Sequence, residues 1–418
     1  MPIDFARVPP RVAVPEAPQP SRLRWAILLV MTMCLGAALA IALWPAGRPT
    51  DTVWFWLCVI VYPALAWAFL LCCRLAYSYA RRSSAIAHNT VSEGEEENCH
   101  KLASEPLVVL GHGWCFSADD QENSVEGVAT GGVKMAPRAS GATPGLNVTA
   151  RWLEIPGKPF YPGNELTEYA RHRVVCDWLL GRLVSCVSAG LTALPAGTAV
   201  SADLTLQSTL DLAYVRTRLE ELLHGVAPAL SFIVNASEDR LSLFQADAWH
   251  DNLKPHDAHL LIAIGLRKAV SEQLQDGAAE TGAALLIARP GTARSAEMGT
   301  QMGASELWLH RPAIGSSDAA AKTIELAGRW GQAESERKKT VWNNVLSGEF
   351  LRTVKSSVQA DEQMQWVDLE TTVGDCAAAG PWLATALAAE HAKLTGDPQL
   401  VLTQEEGDMT ALVCRRQT

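Results

Sequence analysis

Five side chains that could hold a metal ion lie within ten residues, in the segment WHDNLKPHDAH that begins at Trp249. They are His250, Asp251, His256, Asp257 and His259. Imidazole and carboxylate groups are common ligands of zinc and iron. The spacing matches no standard metal motif, however, and Pro255 interrupts any helix that would align the ligands. Two interpretations stay open: a metal site formed by His250, His256 and His259, and a solvated loop with three surface histidines.

A second candidate is His112, in the run LVVLGHGW that begins at Leu107. An apolar run that stops at a glycine predicts a buried strand followed by a turn. A His-Gly pair after such a strand is similar to the oxyanion loop of α/β-hydrolases, but that fold also needs a G-x-S-x-G elbow, and the sequence contains none. The pattern therefore indicates either a catalytic His112 or a strand end at which Gly111 and Gly113 supply backbone freedom.

The third candidate is Cys376, in the segment GDCAAAGPWLATALAAE that runs from Gly374 to Glu390. Pro381 in the first turn and Gly396 beyond the end predict the limits of a helix. A thiol at the start of a helix has a lowered pKa and could act as a nucleophile. The free N–H groups there could instead hold an anion. The remaining interpretation is close packing of small residues against a sheet.

Two apolar runs near the start of the chain, Trp25–Trp44 and Val53–Cys73, contain no charged residue. At about 1.5 Å per residue, a helix of either length crosses a hydrocarbon core about 30 Å thick. Neither run has the polar face of a core helix, and tryptophans lie near the ends, as at membrane interfaces. We therefore predict a transmembrane hairpin over residues 22–82, with spans at 25–44 and 53–73.

Arginines lie on one side of this predicted hairpin. The loop between the spans has only Arg48, whereas seven arginines lie before the first span or after the second. These are Arg7, Arg11, Arg22, Arg24, Arg74, Arg81 and Arg82. The positive-inside rule then predicts that the N-terminus and the large C-terminal part are both cytoplasmic.

The rest of the chain divides by composition. Residues 1–21 are rich in proline and predict an extended tail, residues 83–105 predict an acidic linker, and residues 106–418 predict a soluble domain. Residues 1–82 hold eight Lys/Arg against three Asp/Glu, and the remainder holds 27 against 42. This acidic balance argues against nucleic acid as a partner. The predicted partners are the lipid bilayer and a protein of a membrane assembly.

Strand-like and helix-like segments alternate along the soluble part and predict an α/β domain around one mixed sheet. One helix is predicted from Ser208 to His224, with Ser208 in position to cap it. The ten cysteines are scattered and form no CxxC pair, which argues against a zinc ribbon or a redox pair. No motif requires a cofactor, and none is predicted.

The C-terminal stretch combines a strand near Leu369, the segment GDCAAAGPWLATALAAE and the segment QLVLTQEEGDMTALVCRR. These segments predict a glycine-rich turn, a helix of small residues and a closing hairpin, in that order. With this order of elements, the stretch of about 50 residues resembles the end of a thiolase-like, or β-ketoacyl-synthase-like, domain. The resemblance implies a thiolase-like fold. That family's catalytic cysteine and two histidines have no identifiable counterparts here, so the resemblance implies a non-catalytic domain.

The plan of the first 110 or so residues is similar to inner-membrane proteins of proteobacteria that are associated with type VI secretion loci. It combines the run VWFWLCVIVYPALAWAFLLCCRLAY, a basic exit and the strand PLVVLGHGW. Our main expectation is therefore a non-enzymatic, membrane-anchored scaffold that docks a protein partner in type VI secretion. The alternative is a membrane-attached hydrolase or acyl-transfer enzyme that acts on lipid or thioester substrates through Cys376 or His112.

Overall fold

The computed structural model describes residues 3–17, 19–292, 306–333, 339–344, 346, 348–357 and 364–417. Its contacts divide the chain into two compact units. Ile3–His100 forms the first unit, which contains both predicted membrane spans, and the chain from Lys101 onward forms the second, which is the soluble domain.

Two helices dominate the first unit, α1 (Arg22–Ala42) and α2 (Val53–Ala103). By length and composition both could cross a membrane, and their most apolar windows are exposed, with 0% and 6% buried. Helix α2 continues beyond the end of the predicted span at residue 73, as far as Ala103. The predicted acidic linker over residues 83–105 is therefore helical along most of its length.

Helices α1 and α2 approach each other closely at Gly36. A β-carbon added to Gly36 would lie 2.1 Å from Cγ of Pro63. Pro63 lacks an N–H group and its ring crowds the preceding turn, and the turn Leu57–Val61 just before it is widened to a π-helix. Small residues allow close approach between helices in membranes, so Gly36 sets the spacing of this pair.

We expect Gly36→Leu to destabilise the helix pair by about 1–3 kcal/mol, because overpacking forces backbone shifts. Titration of the full-length protein with SDS, starting from mild detergent micelles, measures the effect. Gly94→Leu is the control, since no atom lies within 4 Å of a β-carbon added at Gly94 in α2. Equal stability of the two variants would contradict the packing assigned to Gly36.

The soluble domain is built on a mixed sheet. The strands within the described residues are β1 (Leu107–Cys115), β2 (Arg138–Ala139), β3 (Asn147–Val148), β4 (Ala199–Gln207), β5 (Ser231–Ser237), β6 (Ala258–Gly265), β7 (Thr281–Ala288), β8 (Leu307–Leu309), β9 (Ala313–Ser316), β10 (Lys339–Asn344), β11 (Met364–Asp368), β12 (Gln399–Glu405) and β13 (Asp408–Arg416). Strands β2 and β3 pair with each other, and the others form one sheet in the order β11-β10-β12-β13-β8-β1-β7-β6-β4-β5, with β9 beside β13.

This sheet consists of two halves with the same topology. We number the five strands of each half from 1 to 5 in chain order. The first half then consists of β1, β4, β5, β6 and β7, and the second of β8, β10, β11, β12 and β13. Across the sheet, the strands of each half lie in the order 3-2-4-5-1. In both halves the fifth strand is antiparallel to its two neighbours, while the second, third and fourth are parallel. The halves join edge to edge where Leu107 of β1 pairs with Leu309 of β8.

Helices cover both faces of the sheet. Those of the soluble domain, within the described residues, are α3 (Val125–Ala129), α4 (Glu165–Ala193), α5 (Leu212–Val226), α6 (Gln245–Asn252), α7 (Ala320–Trp330), α8 (Gly348–Ser357), α9 (Leu369–Thr372) and α10 (Gly380–Thr395). Helices α4 and α5 bury one face of the first half. Helix α10 packs on the opposite face against strands of both halves, and every residue from Gly380 to Ala389 is buried. The prediction of an α/β domain with a mixed sheet is confirmed.

Helix α4 is also long and apolar enough to cross a membrane. Half of its apolar window is buried, however, and it packs against β1 and β7. Its apolar residues thus belong to the core of the soluble domain.

Candidate active site

A cleft of about 790 Å³ lies where strands β4 and β6 end. Its wall contains Gln207, the last residue of β4, and Leu266, which follows β6. The carboxyl ends of parallel strands meet at one edge of a sheet, and ligands bind there in open α/β sheets. The polar side chains in the wall include His172, Ser208, Thr209, Arg267, Lys268, Glu272, Asp276, Glu370 and Asp375.

Ser208 and His172 are in contact in this cleft. Ser208 directly follows β4, and its Oγ lies 2.9 Å from Nδ1 of His172 in α4. The backbone N–H of Thr209 donates to the same nitrogen at 3.1 Å, and the Thr209 hydroxyl lies 3.0 Å from it. Because an N–H group can only donate, Nδ1 carries the lone pair of a neutral imidazole. The Ser208 hydroxyl can therefore donate to Nδ1, whose single lone pair it shares with Thr209.

The other ring nitrogen of His172 is held by two acceptors. Nε2 donates to the backbone carbonyl of Arg267 at 3.0 Å and lies 3.3 Å from Oε1 of Glu168, one turn earlier in α4. Burial alone would raise the pKa of Glu168, but hydrogen bonds from His172 and from two backbone N–H groups between β6 and β7 hold that pKa well below its usual range. The ionised carboxylate thus orients the ring, as an orienting group does for a general base.

A buried ion-pair network supports this arrangement. The guanidinium of Arg171 lies 3.0 Å from Glu168 and 2.5 Å from Glu280, and all three side chains are fully buried. Glu280 also accepts hydrogen bonds from the backbone N–H groups of Leu153 and Arg267, both at 2.8 Å. The network therefore connects α4, the segment before it and the loop after β6 behind the cleft.

Charged groups lie together in the outer wall of the cleft. Nη2 of Arg267 donates to Oδ2 of Asp375 at 2.8 Å. Burial and the nearby carboxylates of Asp368 and Asp375 raise the pKa of Glu370. This part of the wall is therefore suited to a polar portion of a ligand.

Cys376 lies in the core and does not line the cleft. It is 1% exposed, and its thiol donates to the carbonyl of Gly374 at 3.4 Å. Burial raises the pKa of Cys376 to about 12. Helix α10 begins only at Gly380, after a short 3-10 turn. A neutral, packed thiol is a poor nucleophile at neutral pH, so the structure favours the packing interpretation of this segment.

We expect Cys376 to remain unmodified when the folded, full-length protein is treated with a maleimide at pH 7, because its thiol is both buried and protonated. Cys186 is exposed and should be labelled in the same sample, which makes it the internal control. Mass spectrometry of the peptides measures both. Labelling of Cys376 as fast as Cys186 would contradict this placement.

His112 lies inside β1 and not in a turn after it, which corrects the predicted strand end. The strand continues through Gly111 and Gly113. These glycines make room for α4, since a β-carbon on Gly113 would lie 2.4 Å from Cβ of Cys186. Nε2 of His112 lies 2.7 Å from Oε2 of Glu390 in α10. This pair is not among the residues that line the cleft.

The three predicted metal ligands do not converge. His250 is buried in α6, His256 is exposed in a turn with a φ of 75°, and His259 lies in β6. Burial and the adjacent cation of Arg311 lower the pKa of His250 to about 3, and such a cation also disfavours a metal ion. Across the part of the chain that the structure describes, no three metal-binding side chains form a site.

The sequence did not identify Ser208 and His172 as partners. Ser208 was assigned to the cap of the following helix, but α5 is capped by Asp211, whose carboxylate accepts from the N–H of Ala213 at 2.9 Å. No local motif joins Ser208 to His172, since 36 residues separate them. The available signal was the position of a serine directly after a predicted strand.

No protein-family model and no curated protein sequence matches this chain. Its fold does match solved structures. The ishigamide ketosynthase/chain length factor aligns with a TM-score of 0.51, 12% identity, 75% of this chain and 100% of its own. The type II PKS ketosynthase of AntDE, solved with the acyl-carrier protein AntF, aligns with a TM-score of 0.50, 10% identity, 74% of this chain and 99% of its own. The soluble domain therefore has a thiolase-like fold, as the C-terminal resemblance implied.

These comparisons correct the main functional expectation. The expectation of a non-enzymatic scaffold is wrong, because the solved structures that share the fold are ketosynthases. At this level of identity the likeness concerns the fold alone, so any site has to be argued from the residues of this chain.

Proposed function

We propose that the soluble domain is an acyl-transfer enzyme that acts on thioester or lipid ester substrates, with Ser208 as nucleophile and His172 as general base. The observation that carries this proposal is the 2.9 Å contact between Ser208 Oγ and Nδ1 of His172 in the cleft at the end of β4. The thiolase-like fold, shared with ketosynthases, supports this class of chemistry. Helices α1 and α2 attach the enzyme to a bilayer.

The first half-reaction transfers the acyl group to Ser208. Its Oγ attacks the carbonyl carbon while Nδ1 of His172 takes the hydroxyl proton. The bond from the carbonyl carbon to the leaving sulfur or oxygen then breaks, and His172 returns the proton to the departing thiolate or alkoxide. The products are an ester on Ser208 and a free thiol or alcohol.

The second half-reaction releases the acyl group. Water, or the hydroxyl or amine of an acceptor, attacks the Ser208 ester while His172 takes the acceptor's proton. That proton is then given to Ser208 Oγ as the ester bond breaks, so the free hydroxyl is regenerated. Transfer to water is hydrolysis, and transfer to another acceptor is acyl transfer.

Two neighbouring groups assist these steps. When Nδ1 accepts a proton the ring becomes an imidazolium, and Glu168, 3.3 Å from Nε2, stabilises that charge and keeps the ring in position. Glu168 is thus a positioning residue. Arg267 contributes a positive charge to the cleft wall, which favours the negative charge that develops on the carbonyl oxygen.

The test measures thiol release from acyl thioesters of increasing chain length, and product release from phospholipid esters, by the full-length protein in detergent micelles. His172→Gln keeps a polar side chain but removes the base, so it should slow the reaction by about 10²–10⁴-fold. His224→Gln is the control, because His224 is exposed at the end of α5 and stacks edge-on against Phe232 outside the cleft. Equal rates for the two variants would contradict the proposal, and so would a wild-type protein that turns over none of these substrates.

A further inference from the structure

The proline-rich N-terminal segment is bound along helix α2 within the first unit. Asn89 of α2 makes the central contact, since its Oδ1 accepts from the N–H of Val12 and its Nδ2 donates to the carbonyl of Val12, both at 2.9 Å. One side-chain amide therefore satisfies both polar backbone groups of one tail residue. Further along, the ring of Phe5 lies 5.1 Å from that of His100.

The prolines of the segment are recognised through their carbonyls. Ser92 Oγ donates to the carbonyl of Pro9 at 2.6 Å and is completely buried, and Nε2 of His88 donates to the carbonyl of Pro10 at 3.1 Å. Proline has no N–H group that would need a partner, and its fixed φ reduces the entropy that is lost on binding. The polar groups of this helix face therefore match a Pro-Pro segment.

Arg11, which follows Pro9 and Pro10, carries a positive charge and pairs with acidic side chains of α2. Arg11 lies 2.9 Å from Glu96 and 3.8 Å from Glu93. The surrounding part of α2 contains Gly94 and the acidic run Glu95–Glu97 close to the carboxyl end of the helix. Glycine and like charges three or four residues apart, such as Glu93 with Glu96 and Glu97, both disfavour helix. This stretch of α2 therefore depends on contacts from outside the helix.

We propose that residues 5–12 are a detachable brace, which keeps residues 88–100 of α2 helical by binding a receptor face formed by His88, Asn89, Ser92, Glu93, Glu96 and His100. Release of the brace frays this part of α2 and exposes an acidic face that an extended Pro-Pro-Arg segment can bind again. The proposal is independent of the chemistry of the cleft.

Hydrogen exchange of the full-length protein in detergent micelles tests the brace. Arg11→Glu and Asn89→Leu should each speed the exchange of residues 88–100 at least tenfold. Leucine is a better helix former than asparagine, so faster exchange in Asn89→Leu reports the lost tail contact and not a lost helix propensity. Arg48→Glu is the matched control, since Arg48 lies in the loop between α1 and α2, outside both the brace and its receptor face, and it should leave this exchange unchanged.

Two rescue experiments follow from the same contacts. Glu96→Arg combined with Arg11→Glu reverses the ion pair and should restore most of the protection lost in Arg11→Glu. A synthetic peptide of residues 3–17, added to the Arg11→Glu protein, should restore it by binding the receptor face in trans. Unchanged exchange of residues 88–100 in both single variants would overturn the brace, and a peptide without effect would overturn the receptor face.

Discussion

Replacement of Ser208 by alanine is expected to abolish acyl transfer and to leave the fold intact. Loss of an activated nucleophile lowers the rate by at least about 10³-fold, because the acyl-enzyme cannot form. Ser208 is only partly buried, and the N–H and hydroxyl of Thr209 still satisfy Nδ1 of His172 in the variant. Thiol release measured beside the unfolding temperature of the full-length protein separates lost chemistry from lost structure.

Ser237→Ala is the matched control for this variant. Ser237 ends β5, the strand next to β4, and its Oγ accepts from the N–H of Asp239 at 2.9 Å, outside the cleft. It should retain the wild-type rate. If Ser208→Ala were as active as Ser237→Ala, Ser208 would not be the nucleophile.

Arg171→Met is expected to have the largest effect on stability. It leaves Glu168 and Glu280 fully buried without the guanidinium that pairs with both. Removal of one partner from a buried ion-pair network costs about 3–5 kcal/mol, which lowers Tm by about 4–8 °C in a unit that runs from Lys101 to the end of the chain. Thermal unfolding of the full-length protein in detergent measures the shift.

Arg216→Met provides the comparison, because Arg216 forms an exposed 4.0 Å pair with Glu220 on α5. Loss of such a surface pair costs at most about 1 kcal/mol. Equal Tm values for Arg171→Met and Arg216→Met would contradict the role of the buried network.

The same network predicts a pH dependence. Folding lowers the pKa of Glu168, so its ionised form stabilises the folded state above the usual carboxyl range, and this stabilisation is lost as the pH falls through the folded pKa. The positive charge of Arg171 adds to the hydrogen bonds that lower this pKa, so without it the folded pKa rises part of the way toward its ordinary value. Acidification should therefore destabilise the wild type more steeply than Arg171→Met, and parallel pH curves for the two would count against this assignment.

The apolar helices and the fold class could be predicted because they depend on local patterns. Helix α1 spans Arg22–Ala42 where the sequence predicted residues 25–44, and the alternation of strands and helices gave the mixed sheet. The true end of α2 could not be predicted. Its segment around Gly94 contains a helix-breaking glycine and an acidic run, and its contact with the tail joins Asn89 to Val12, 77 residues apart, so no local pattern reveals it.

The candidate site could not be predicted because it is assembled by topology. The residues next to Cys376 and His112 in the sequence predicted them as candidate site residues. The structure places Cys376 in the core and His112 inside a strand. Ser208 and His172 are in contact because the fold places the carboxyl end of β4 beside α4. The duplicated strand order likewise depends on pairing between distant segments, and no short repeat in the sequence reveals it.

The most direct measurement is the mass of the full-length protein after brief exposure to an acyl thioester and quenching in acid. An acyl group bound to Ser208, located by peptide mapping and absent from Ser208→Ala, is the predicted result. An acyl group on Cys376, or one that persists in Ser208→Ala, would contradict the account.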